Sequence, residues 1–264
     1  MRGPADGPGN GPANGALRFA RYAYPPNELG YCGPDASAQL LEQVADGVAD
    51  AELRRLLRGF EGAWPYLELI AAANGIGDPL DDRVVEAYWI GNPLLDRVGP
   101  RLLGDSLEDR FRRRAGRTWD SLVAPVLDGA VPHHSFHVFG VYPWLGLLRE
   151  GRLDEPLRVL DRCRIRWGQV RSIIGGEAEV LSRPLVWDGR RLALGEPTLE
   201  RVRVSLGDRG LVGGLRQGVW CSMHWDWVCE ALDARSLAQL RHWTVRELAV
   251  VNGVRIPAPA SVLS

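Results

Sequence analysis

The chain has 264 residues, of which 45% are hydrophobic and 25% charged, as in ordinary soluble globular proteins. Its formal net charge of −1 offers no basic surface, so neither nucleic acid nor a membrane is expected as a partner. All 32 basic residues are arginine. The lack of lysine excludes lysine Schiff-base chemistry and a Walker-type phosphate loop.

The N-terminal segment and the cysteines indicate where in the cell the protein is expected. Residues 1–16 are rich in Gly, Pro, Asn and Ala and have no apolar stretch, which predicts a disordered tail and not a signal peptide. No apolar run is long enough to span a membrane. Four cysteines are too few for a disulfide framework in a chain of this length. We therefore expect a cytoplasmic protein with free thiols.

Residues 17–160 are predicted to form an α-helical domain. Asp50 is placed to cap a helix whose leucines recur at helical spacing, and Pro65 suits the first turn of the next helix. Ser106, with an aspartate three residues later, resembles a capping box. A further helix is expected over 133–148, kinked by Pro143.

Residues 161–264 are predicted to form a small β-barrel domain with a C-terminal helix. Short apolar runs alternate with turn signals, and Asp188-Gly189 fits a two-residue hairpin turn. About five short strands result, the number expected of an OB-type barrel. Residues 235–250 then return to helical spacing. The predicted fold class is therefore α+β, with helices first and a barrel after them.

Two motifs stand out within this second region. The first is Cys163-Arg-Ile-Arg-Trp-Gly-Gln-Val170, and the second runs from Gly218 to Cys229 as Gly-Val-Trp-Cys-Ser-Met-His-Trp-Asp-Trp-Val-Cys. A Leu-Asp pair and a helical segment follow. This order resembles the HypC/HupF family of hydrogenase-assembly chaperones, in which a cysteine opens the first strand and a hydrophobic strand ends in a histidine.

The resemblance implies a function in the assembly of [NiFe] hydrogenase. Cys163, with the help of His224, would transiently hold or hand over an iron fragment, or dock on the large-subunit precursor. A HypD-like scaffold protein and the precursor of the hydrogenase large subunit would be the partners. The helical domain has no match in that family and is expected to recognise those partners.

The chemistry of these residues is compatible with metal binding. Arginines at positions 162, 164 and 166 should lower the pKa of Cys163 and favour the thiolate that binds metal. Asp226 is expected to share a strand face with His224 and to orient its imidazole. The alternatives are a buried cysteine that acts as a small hydrophobe and a histidine that only packs in the core.

Two further groups are weaker candidates for metal ligands. His133, His134 and His137 have helical spacing for chelation, but no Glu or Asp accompanies them, and a helix cap or a polar patch against the barrel is the preferred interpretation. Cys32 lies in an aromatic, Pro/Gly-rich segment from Tyr22 to Asp35, which favours an N-terminal arm packed on the helices. We expect this arm or the histidines to line a cleft shared with Cys163. Cys221 and Cys229 lack zinc-site spacing and are assigned to the core.

Other classes of function remain open from the sequence. The helical domain is long enough to be a metal- or small-molecule-dependent enzyme of cofactor assembly. A non-catalytic regulator that uses a HypC-like barrel without metal is a third possibility. Bound iron in the anaerobically purified protein is the most useful single observation, and infrared bands of cyanide and carbon monoxide would separate a chaperone from an enzyme or a regulator.

Overall fold

The computed structural model describes residues 14–115, 119–207 and 209–256, and its elements follow the expected order. Among the described residues, ten α-helices precede the strands: α1 Gly15–Glu28, α2 Ser37–Asp46, α3 Ala51–Arg58, α4 Trp64–Ala73, α5 Asp82–Trp89, α6 Pro100–Ala115, α7 Trp119–Leu127, α8 His134–Phe136, α9 Trp144–Arg149 and α10 Asp154–Cys163. A 3-10 helix spans Pro93–Arg97 and a π-helix spans His137–Val141. Helix α11, Ala234–Val251, follows the strands. The α+β class is therefore confirmed.

Several local predictions about the helices can be compared with the structure. Asp50 does cap α3, accepting a hydrogen bond of 2.8 Å from the Leu53 amide. Ser106 lies inside α6, so the predicted helix start there is wrong. The single helix expected over 133–148 is instead three segments, because Tyr142 leaves helical geometry before Pro143.

The N-terminal region also differs from expectation. Helix α1 begins at Gly15, capped by Asn14, whereas the predicted tail extended to residue 16. It continues to Glu28 through Pro25 and Pro26, so half of the predicted arm is helical. Residues 1–13 lie outside the described part of the chain. Among the described helices, none is both long and apolar enough to cross a membrane.

The strands form one closed barrel and two small hairpins. The strands are β1 Arg166–Ile174, β2 Glu177–Ser182, β3 Leu185–Trp187, β4 Leu192–Leu194, β5 Thr198–Arg203, β6 Ser205–Leu206, β7 Arg209–Gly210, β8 Trp220–His224 and β9 Trp227–Leu232. The barrel order is β1-β2-β5-β9-β8. Its neighbours are antiparallel except β5 and β9, which meet in parallel at Arg203 and Trp227. Closure leaves these strands without a free edge.

The hairpin predicted at Asp188-Gly189 is β3–β4, which lies outside the barrel. Trp187 pairs with Leu192, so four residues connect the strands instead of two. The Asp188 carboxylate accepts hydrogen bonds from the amides of Arg190 and Arg191, at 2.8 and 2.7 Å. This carboxylate closes the longer turn, in which Gly189 supplies the positive φ of +95°.

The hydrophobic core joins the helices to the outer surface of the barrel. The largest cluster includes Phe19 and Tyr66 from the helices together with Trp167 and Trp227 from the strands. A separate cluster, including Val170, fills the barrel interior. Helices end at Cys163 and strands begin at Arg166, close to the predicted change of pattern at 160. The two regions nevertheless share one core.

Candidate metal centre

Three buried side chains converge where the helices meet one end of the barrel. His134 begins α8, Cys163 ends α10, and His224 ends β8. One ligand atom from each residue lies within 4.8 Å of the other two. The sequence paired Cys163 with His224 and gave His134 lower weight. The structure brings Cys163 and His224 together, as predicted, and adds His134 to them.

His224 is held with one ring nitrogen free. Its Nδ1 lies 2.6 Å from the Tyr22 carbonyl oxygen, and because a carbonyl can only accept, Nδ1 carries the proton and donates. The proton on Nδ1 leaves a lone pair on Nε2. That nitrogen is buried and has no hydrogen-bond partner. An N–H bonded to a backbone carbonyl, with the other nitrogen available, is the usual arrangement of a metal-binding histidine.

His134 is oriented in the same way. Its Nε2 lies 2.8 Å from the Cys163 carbonyl oxygen and must donate to it. The lone pair on Nδ1 then accepts from the Tyr88 hydroxyl at 3.2 Å. A metal at Nδ1 would displace that hydroxyl. Because His134 also binds the Cys163 backbone, the two candidate ligands are positioned by one hydrogen bond.

Burial keeps these histidines neutral. Desolvation lowers the pKa of His134 to about 4, and it holds the pKa of His224 well below the usual range, with His134 adding to the effect. Neutral imidazole is the form that binds metal. Neither ligand therefore needs to lose a proton at neutral pH before coordination.

The prediction that the neighbouring arginines lower the pKa of Cys163 is wrong. The residue is only 8% exposed, and burial raises the pKa of its thiol, an effect that Cys32 reinforces. The three arginines are engaged elsewhere: Arg162 and Arg166 pair with Glu200, and Arg164 pairs with Asp161. Their pairing with these carboxylates is not visible in the sequence. Deprotonation of Cys163 would therefore have to come from a bound cation.

Asp226 does not orient His224, contrary to the prediction. Trp225 and Asp226 form the turn between β8 and β9, so Asp226 no longer follows the strand's alternation. Its side chain is 55% exposed and pairs with Arg162 at 3.3 Å. The orienting group is instead the Tyr22 backbone, for which the sequence carries no signal.

Trp225 adopts a backbone conformation that is rare for a bulky residue. Its φ is +49°, the only positive value of a non-glycine in the described chain. The Trp225 amide donates to the Arg162 carbonyl, and Arg166 donates to the Trp225 carbonyl at 2.6 Å. Tyr31 stacks on its ring with centroids 4.4 Å apart. The strained conformation is thus fixed from several sides and keeps the indole against the site.

A buried polar network attaches α1 to the barrel beside His224. The Tyr22 hydroxyl lies 2.7 Å from Ser222 Oγ and donates to Glu230 at 2.9 Å. Arg18 bridges Glu230 and Asp82. The sequence did not show these contacts, because the partners are about 60 to 210 positions apart. They attach α1, whose Tyr22 carbonyl selects the His224 tautomer, to the barrel.

The three ligands border a mainly apolar cavity of about 220 Å³. Cys32, His137 and Tyr142 also line it, together with Trp225. The predicted cleft shared by Cys163, the histidines and the N-terminal segment is therefore present. Cys32 and His137 lie outside the three-residue group itself, and burial raises the pKa of Cys32 to about 12.

The remaining candidates from the sequence contribute to the fold. His133 caps α8, accepting a hydrogen bond from the Ser135 amide, which confirms the cap interpretation for that residue. Cys221 and Cys229 are buried, as predicted, and all four cysteines have free thiols.

The donor set fits a transition-metal ion. With metal–nitrogen bonds of about 2.0 Å and metal–sulfur bonds of about 2.3 Å, tetrahedral ligands lie roughly 3.5 Å apart. The observed upper separation of 4.8 Å requires contraction of about 1 Å by side-chain rotation. Sulfur with imidazole suits zinc, copper or iron better than magnesium or calcium.

Comparison with known proteins gives a family and no function. No curated protein and no solved structure matches the chain significantly. Residues 11–257 match the model of DUF6390, which is described as a family of unknown function. Because this match covers most of the chain, the protein belongs to the DUF6390 family.

Proposed function

We propose that this protein is a metal-handling accessory protein that holds an iron fragment during assembly of [NiFe] hydrogenase. The observation that supports the proposal most is the convergence of His134, Cys163 and His224 within 4.8 Å, with one nitrogen of His224 buried and unpartnered. We further propose that the barrel, which carries His224 and directly follows Cys163, is of the OB type. The protein acts in the cytoplasm.

The charge of the site favours a bound ion with a further ligand. One thiolate and two neutral imidazoles leave a divalent cation with a single excess positive charge. An isolated charge in a mainly apolar cavity is costly, so an anionic fourth ligand stabilises the complex. Three protein ligands with an open position characterise sites that exchange or react, whereas closed sites with four protein ligands are structural.

Iron and the partners rest on the motif resemblance. Cys163 and His224 occupy the positions of that family's cysteine and histidine, and the structure supports the pairing by placing both side chains on one cavity. A HypD-like scaffold and the large-subunit precursor are the proposed partners. Since Cys163 is only 8% exposed, transfer of a metal fragment requires movement of the Trp225 side or of the helices around the cavity.

The first test is metal binding by the anaerobically purified protein. Cobalt(II) should bind with a thiolate-to-cobalt charge-transfer absorption. Cys163→Ser should abolish that absorption, and His224→Ala should weaken binding by more than about 10-fold, the loss already seen for an outer-shell partner. Cys221→Ser is the matched control, because that cysteine is buried away from the cavity.

The second test is biological. In cells that carry out [NiFe] hydrogenase maturation with this protein, removal of its gene should abolish hydrogenase activity, and the Cys163→Ser chain should fail to restore it. Iron in the protein from a strain lacking the large subunit would support a holding role. Normal hydrogenase activity without the gene would refute the proposed assignment even if cobalt binds.

A metal-dependent enzyme is the second candidate, and the cavity favours it. A space of about 220 Å³ beside three ligands accommodates a small substrate, and Tyr142 and His137 offer polar groups there. The two candidates differ in what leaves the protein. An accessory protein loses its metal to a partner, whereas an enzyme keeps the metal through repeated turnovers.

A further inference from the structure

A second pocket lies outside the cavity, and the two share part of their lining. The outer pocket measures about 430 Å³ and is lined by Arg58 and Arg110, among others. Gly62, His137 and Tyr142 line both spaces. These three residues therefore form the partition between the outer pocket and the metal-ligand cavity.

Among the residues that the structure describes, no carboxylate lies at ion-pair distance from either arginine of the outer pocket. Arg110 Nη2 donates to the carbonyls of Glu61 and Gly62, both at 3.2 Å, which fixes the guanidinium. Its Nη1 is buried without an acceptor. Since no described carboxylate compensates the guanidinium charge, an oxyanion against the part of Arg110 that lines the pocket would stabilise it.

Aromatic rings hold Arg110 in place. Its guanidinium carbon lies 4.6 Å from the centroid of the Tyr66 ring and 4.7 Å from that of Phe111. The Tyr66 hydroxyl is 3.2 Å from His137 Nδ1, so Tyr66 connects the arginine to the partition. A preorganised guanidinium loses little entropy on binding and recognises planar or tetrahedral oxyanions in bidentate fashion.

The charges of the other lining groups must be included. Glu61 also lines the outer pocket, so the lining carries two positive charges and one negative charge. Its exposed side chain is free to turn to solvent, whereas its carbonyl keeps Arg110 fixed. The balance still favours an anion.

We propose that the outer pocket is a binding site for a small oxyanion, a carboxylate or phosphate group, whose bound position adjoins the metal-ligand cavity. Arg58 and Arg110 bind the anion, and the partition residues separate it from His134, Cys163 and His224. The binding site is inferred from the geometry of the outer pocket alone and does not depend on the proposed function. The further step, that the pocket is the entry route for the anionic ligand of the metal, rests on the proposed function.

Calorimetric titration of the full chain with inorganic phosphate and with malonate tests the binding site. Low ionic strength is used, since salt screens such contacts. At least one anion should bind saturably, and the one that binds distinguishes phosphate from carboxylate. Arg58→Gln and Arg110→Gln should each weaken binding by about 10-fold or more, as expected for a charged hydrogen bond.

Controls separate the pocket from general charge effects and from folding. Arg101→Gln changes an exposed arginine on the same helix α6, outside the pocket, and should leave anion affinity unchanged. Glu61→Gln should strengthen binding. Because Arg58 is exposed, its variant keeps the test valid if Arg110→Gln fails to fold. Absence of binding by both anions, or equal affinity in Arg58→Gln and wild type, overturns the proposal.

The entry route is tested at Gly62. A Cβ there would lie 3.4 Å from His137 Nε2 and 3.9 Å from the Tyr142 hydroxyl, so a larger side chain narrows the partition without a severe clash. Gly62→Val, or the milder Gly62→Ala, should slow by about 10-fold or more the spectral change that the anion identified by calorimetry causes in the cobalt-loaded protein, while the final spectrum stays the same. Gly77→Val, in open space, is the control. An unchanged rate of anion binding to the cobalt in both Gly62 variants rejects the route.

The two proposals fail in different ways. Anion binding without any cobalt binding would refute the metal function and leave the oxyanion site standing. Cobalt binding by the wild-type chain without anion binding would do the reverse.

Discussion

Glu247 should make the folded protein less stable as pH rises through neutrality. This residue of α11 is fully buried: one carboxyl oxygen accepts a 3.0 Å hydrogen bond from the Val131 amide, and the other has no partner. Burial raises the pKa of Glu247 from 4.5 to about 8. The folded protein thus keeps a proton that the unfolded chain releases between these two values.

The sign and size follow from this difference. Below about pH 4.5 both states are protonated, and the group contributes no pH dependence. Between pH 4.5 and 8 only the folded state stays protonated, so the free energy of unfolding falls by up to about 1.4 kcal/mol per pH unit. The whole interval of 3.5 units (8 − 4.5) corresponds to a loss of about 5 kcal/mol.

Glu247→Gln keeps the size of the side chain and the acceptor for Val131 but cannot ionise. Urea unfolding of both proteins between pH 5 and 8.5 measures the effect, and the difference between them cancels contributions from the buried histidines. The variant should become progressively more stable than wild type as pH rises. Glu150→Gln, at an exposed position, is the control for removal of one glutamate. A difference that does not change with pH would refute the reasoning.

Two further predictions concern the packing around the site. Gly91→Ala should destabilise the fold by about 3 kcal/mol or more in denaturant titration, because Gly91 has a φ of +94° and its added Cβ would lie 1.9 Å from Trp243. Gly77→Ala, in open space, is the control and should not destabilise the fold. Equal stability of the two variants would contradict this prediction. Tyr22→Phe should lower stability by about 1–3 kcal/mol through the lost buried hydroxyl contacts but leave cobalt affinity unchanged, because His224 binds the Tyr22 carbonyl. A large loss of cobalt affinity would mean that the hydroxyl orients the ligand.

The sequence was most informative where local patterns determine structure. Asp50 as a helix cap, the change from helices to strands near residue 160 and the burial of Cys221 each follow from neighbouring residues. The pairing of Cys163 with His224 came from a motif resemblance, and His134 was weighted low because helical spacing alone does not reveal what faces a residue. These ligands come from separate elements, so only tertiary structure shows that they meet.

The errors have a common physical cause. Asp226 was placed on the same strand face as His224. Strand β8 instead ends at His224, and a turn of Trp225, which has a positive φ, and Asp226 ends the alternation of side chains. The arginines beside Cys163 were treated as a free positive field, whereas Glu200 and Asp161 compensate them over distances of 3 to 38 residues along the chain. Burial, which raises the pKa of Cys163, and distant partners such as Glu200 depend on tertiary structure, so a single sequence does not show them.

The order of the three ligands along the chain has a consequence for protein synthesis. His134 and Cys163 leave the ribosome well before His224, and the Tyr22 carbonyl that orients His224 can do so only after β8 has joined the barrel. A nascent chain therefore presents at most two of the three donors, without the wall formed by Trp225. If the site binds metal as proposed, insertion has to wait until translation has passed residue 224 and the barrel has closed, so that the growing chain offers no completed site to an incorrect ion.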